Sequence, residues 1–68
     1  MKKGQEYKFS TIEEFANENN YSFDEYGVDH LGENFIVLKH NEKDLTITFV
    51  LTSAGSNGYQ YECVYSDI

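Results

Sequence analysis

The 68-residue chain is predicted to be an α+β domain, one N-terminal helix packed on a three- or four-stranded, mainly antiparallel sheet. Two patterns point there. Apolar residues recur at helical spacing near the start, at Ile12, Phe15 and Ala16, and from residue 34 onward they recur at every second position. The composition agrees. With 40% hydrophobic and 16% aromatic residues, the chain holds more apolar material than disordered segments carry.

Taken in order, residues 5–9 set Tyr7 and Phe9 on one side of an extended run, a short strand candidate. Counted as a strand, it makes the order β-α-β-β-β. Ser10 and Glu13 then have capping-box spacing: the Ser10 hydroxyl would accept the Glu13 backbone N–H, and the Glu13 carboxylate that of Ser10. This predicts a helix over residues 11–19, with Ile12, Phe15 and Ala16 on its apolar side and Glu13, Glu14, Asn17 and Glu18 toward solvent. Asn19 and Asn20 tolerate a left-handed backbone and are expected to end it. Residues 21–33 show no clean period and contain Gly27 and Gly32. They are expected to cross the fold as an irregular segment, with room for a short helix over 22–26, turning Tyr21, Phe23, Tyr26, Val28 and Leu31 inward.

Three strands follow, over residues 34–40, 45–52 and 59–65, with turns at 41–44 and 55–58. Because paired residues share a face, Leu45, Ile47, Phe49 and Leu51 set the buried side. A two-residue loop at Glu42 and Lys43 pairs Leu38 with Ile47 and Ile36 with Phe49. A three-residue loop at Ser56, Asn57 and Gly58 pairs Leu51 with Cys63 and Phe49 with Tyr65. That register puts Tyr61, Cys63 and Tyr65 inside together. A two-residue loop at Asn57 and Gly58 would turn Tyr61 and Tyr65 outward, and the larger buried aromatic area favours the first register.

Twelve acids against five lysines give a net charge of −7, and there is no arginine. This disfavours nucleic acid as a partner, because such affinity comes mainly from cations neutralising phosphates. A lone cysteine forms no internal disulfide, and no long apolar run follows Met1, Lys2 and Lys3, so a reducing, cytoplasmic setting is expected. The apolar runs are far shorter than the roughly 20 residues of a membrane span. No metal or other cofactor is expected. His30 and His40 lack the paired spacing of zinc ligands, and the acidic residues 24–33 lack the ladder of a calcium loop. Cys63 has no cationic neighbour in sequence and is read as a small buried hydrophobe. There is no phosphate-cradling glycine loop and no nucleophile elbow. One helix on one small sheet is expected to leave little concave volume in which a carboxylate pair could work, so catalysis is not expected.

Two surfaces remain as candidates. Seven acids, Glu13, Glu14, Glu18, Asp24, Glu25, Asp29 and Glu33, stand between Lys8 and Lys39 with no lysine among them. Such a negative layer keeps a protein soluble, or steers a basic protein partner toward it. Its limiting form is mimicry of nucleic acid, with carboxylates where phosphates would stand. The second candidate is the sheet's outer face, where Phe35, Val37, Val50 and Val64 are more apolar than a bare solvated face requires. The N-terminal segment, a protein partner or a second copy in a homodimer would cover it. The functional expectation is a small acidic interaction protein of accessory or inhibitor type, with self-association as the alternative.

Overall fold

Alternating apolar residues pair into ladders through the C-terminal half of the chain, and the segments before residue 34 add a strand at each edge. The computed structural model describes residues 1–67. Its elements are β1 (Glu6–Lys8), α1 (Phe9–Glu18), β2 (Tyr21–Val28), β3 (Asn34–His40), β4 (Thr46–Gly55) and β5 (Gly58–Ser66). Among the described residues they make one helix and a five-stranded antiparallel sheet in the order β1-β5-β4-β3-β2. The α+β class is as predicted, and the short first strand exists. The strand number is corrected upward, because residues 21–28 join the sheet instead of crossing it.

β1 and β2 lie at opposite edges, so α1 must carry the chain across one face. Ten helical residues span about 15 Å, close to the ~19 Å that four strand spacings require. The helix begins earlier than predicted. Lys8, with an extended backbone (φ −73°, ψ 152°), is the N-cap and makes no side-chain cap bond, so the Ser10–Glu13 box does not form. Starting at Phe9 puts that ring on the inward stripe with Ile12 and Ala16. There Phe9 stacks on Phe23 at 5.7 Å and leans on Tyr61 at 6.1 Å. A cap is worth roughly 1 kcal/mol and burial of a large apolar side chain roughly 1.5–3, so the ring decides where the helix starts. The helix ends as predicted, at the C-cap Asn19 followed by Asn20 in the left-handed region, φ +62°.

The core is the set Ile12, Ala16, Tyr21, Ile36, Leu38, Ile47, Phe49, Tyr61 and Cys63, with Tyr7, Phe15 and Leu51 packed around it. The β3–β4 register matches the prediction, Leu38 opposite Ile47 and Ile36 opposite Phe49. The β4–β5 register does not. Gly55 pairs with Gly58, whose φ is +92°, and the ladder then slips at Thr52, so Leu51 meets Tyr61 and Phe49 meets Cys63. Tyr61 and Cys63 are therefore inside as expected. A second irregularity at Val64 reverses the parity again: Tyr65 pairs with Thr48 and is 50% exposed, which overturns its predicted burial.

A third irregularity explains why residues 21–28 do not read as a strand. The ladder with β3 runs Phe23–Leu38 and then Glu25–Val37, leaving Asp24 unpaired. Odd residues (Tyr21, Phe23) face the helix side before the bulge and even residues (Tyr26, Val28) after it, so no single alternation survives. Tyr21 alone of the predicted inward set is buried. Phe23, Tyr26, Val28 and Leu31 are exposed, the last three by 63% or more.

Candidate functional site

The helix covers only part of the face it crosses. β4 has ten residues, about 33 Å at strand rise, whereas a helix with its side chains is about 10 Å wide. Past the N-terminal half of α1, on the end of the sheet that carries the 29–33 and 56–57 loops, a groove of about 710 Å³ stays open. Phe9 and Glu13 form its helix wall, Ile36, Leu51 and Tyr61 lie in its floor, and Phe23, Tyr26, Val28 and Tyr59 rim it. The expected lack of concave volume is thereby corrected. A sheet of five strands offers more floor than one helix can cover, and the prediction of three or four strands left no spare floor. The signal was present in the apolar positions Tyr26, Val28 and Tyr59. It was hidden by the bulge at Asp24, which moves Tyr26 and Val28 onto the face of Tyr21.

The seven predicted acids take four separate places. Glu13 faces the groove, while Glu14 and Glu18 border a shallower hollow of about 520 Å³ on the helix's other flank, beside Tyr7 and Phe15. Asp24 and Glu25 sit on β2, whose outer edge is unpaired, Asp24 as the bulge residue and Glu25 opposite Val37. A charged bulge on an edge strand also discourages indiscriminate strand pairing. Asp29 serves its own loop. Its Oδ1 accepts the N–H groups of Leu31 (2.9 Å) and Glu33 (3.0 Å), closing the turn that Gly32 makes at φ +82°. Among the described residues the one salt bridge joins Lys39 and Asp44, 3.4 Å, and touches none of the seven.

The second predicted surface is found half-buried. Phe35, Val37, Val50 and Val64 have intermediate exposure, Val64 being the extra residue of the β5 bulge. No helix among the described residues lies over that face. The N-terminal segment does not fold over it either, which corrects one of the expected covers: Tyr7 sets its ring edge on Phe49 at 6.3 Å, and Phe9 rests on Tyr61, both on the helix side.

Cys63 and His40 are both tied into the fold. Cys63 is fully buried, and burial pushes its thiol above the ordinary value of 9.0, the reverse of an activated nucleophile. His40 Nδ1 accepts the N–H groups of Glu42 and Lys43, each at 3.0 Å, and its ring meets Tyr21 edge-on, so it organises the β3–β4 turn. Among the described residues no three His, Cys, Asp or Glu side chains gather as metal ligands, and no helix is long and apolar enough to cross a membrane. The arrangement is a small antiparallel α+β fold with an aromatic groove that Glu13 flanks, and with further carboxylates exposed elsewhere on α1 and β2. Comparison of the chain with protein-family models, with curated proteins and with solved structures finds no match in any of the three.

Proposed function

We propose that this protein is a non-catalytic interaction module, accessory or inhibitory in type, that binds a basic protein partner through the carboxylates of α1 and β2. The observation that carries this reading is the exposure of Glu13, Glu14, Glu18, Asp24 and Glu25, with no salt bridge to any of them among the described residues. At a net charge of −7 these groups attract a cationic surface over about a Debye length and repel an acidic one. An exposed ion pair is worth only about 0.2–1 kcal/mol, so the carboxylates act mainly on encounter rate and orientation. Affinity then has to come from apolar contact.

Replacing these five acids by alanine should leave the far-UV spectrum unchanged and abolish the salt-sensitive capture of partners from native lysate. Capture that is the same for the variant and the unmodified chain would refute the reading. A second reading has one observation in its favour, the half-buried and helix-free outer face at Phe35, Val37 and Val50. It makes the protein a homodimer through that face, and Val37→Lys would then convert a sedimenting dimer to a folded monomer.

A further inference from the structure

We propose that the groove beside α1 docks one amphipathic helix of a partner protein, bearing lysine or arginine along its flank and laid alongside α1. This rests on the interaction reading and names the partner's recognition element. Three features select that occupant. The first is shape: the groove runs across the strands, as α1 does, from Val28 on β2 to Tyr59 on β5. Three strand spacings are about 14 Å, the length of roughly ten helical residues. A second helix would complete the layer that α1 begins.

The second feature is exposed apolar surface. Tyr26 is 77% exposed, Val28 63% and Tyr59 56%, and these large side chains crowd around one opening instead of scattering. Hydrophobic grooves take the apolar face of an amphipathic helix, and tyrosine is enriched among the residues that carry interface energy. The third is charge. Among the described residues Glu13 is the only charged side chain in the lining, and no lysine reaches the groove. A cationic side chain on the docked helix can pair with Glu13 while its stem lies on the faces of Tyr26 or Phe23. A second copy of this chain fits poorly, since it carries the same −7 charge and its own helix is committed to its own core.

The test uses the full chain and a synthetic leucine–lysine peptide of about 14 residues with apolar positions at helical spacing. Amide shifts should map to Tyr26, Ile36, Leu51 and Tyr61. The double variant Tyr26→Ser, Tyr59→Ser changes only exposed side chains, so it should fold and weaken binding roughly tenfold or more. Glu13→Lys should weaken it too, and the same peptide with a central proline should bind poorly. Unchanged binding in the tyrosine variant, shifts confined to the outer sheet face, no binding at all, or equal binding of the proline peptide would each overturn the proposal. So would a self-association abolished by Tyr26→Ser, which would make a second copy the occupant. If the peptide survives the tyrosine changes but is lost in Glu14→Ala, Glu18→Ala, the groove proposal falls while the interaction reading stands.

Discussion

Asn20 carries the turn from helix to edge strand at a backbone φ of +62°, a region where most side chains are strained. Its side chain is also employed: Oδ1 accepts from Asn41 Nδ2 at 2.7 Å, and Nδ2 donates to Glu42 Oε1 at 3.2 Å. Both Asn20→Gly and Asn20→Ala lose those bonds, but only alanine adds the left-handed penalty. The alanine variant should therefore unfold with about 1 kcal/mol less stability than the glycine variant, read from urea midpoints. This residue was legible in the sequence, since asparagine tolerance of that conformation is a local property. Tyr65 was not. Its neighbours alternate as Tyr61 and Cys63 do, yet one unpaired residue, Val64, sends it to the opposite face.

Among the elements, α1 separates local from tertiary causes most clearly. Ser10 and Glu13 have the spacing of a cap, but the helix opens at Phe9 because that ring has Phe23 and Tyr61 to pack on. Lys8 holds the N-cap conformation with a side chain that cannot accept an N–H. Lys8→Ser should therefore raise stability by about 0.5–1 kcal/mol in chemical denaturation, while Ser10→Ala should change it by less than ~0.5. A large loss in the Ser10→Ala variant would place the cap at Ser10 after all. β2 teaches the complementary lesson. Its residues have ordinary strand chemistry, but the Asp24 bulge shifts the phase midway, and a pattern with a phase shift reads as no pattern. Missing that strand meant missing the groove, because Tyr26 and Val28 belong to both.

For the molecule as a whole, proton linkage sets limits at both ends of the pH scale. Asp67 accepts a hydrogen bond from the Tyr65 hydroxyl and others from Thr46 N (3.2 Å) and Oγ1 (3.0 Å), which hold its carboxyl below its ordinary 3.8. Its contribution is present above that value and is lost as pH falls through the lowered folded value. Cys63 and Tyr61 are shifted the other way, chiefly by burial, above their ordinary 9.0 and 10.0. Their stabilising effect is full below those values and fades as pH rises through the higher folded ones. Thermal midpoints should thus decline on both limbs, with Asp67→Asn flattening the acid limb and Tyr61→Phe the alkaline one. If both variants track the unmodified chain at every pH, the linkage is wrong.

Residue order alone was enough for the α+β class, the central β3–β4 register, the burial of Phe49 and Cys63, and the charge that shapes any encounter. These follow from periodicity and composition, which act over a few residues at a time. Packing between distant segments settled the rest: where the helix starts, which edge β2 joins, how three bulges reassign faces, and how much sheet the helix leaves bare. Each of those outcomes turns on which surfaces meet after the chain has closed on itself. A bulge costs little locally and shifts every later side chain to the other face.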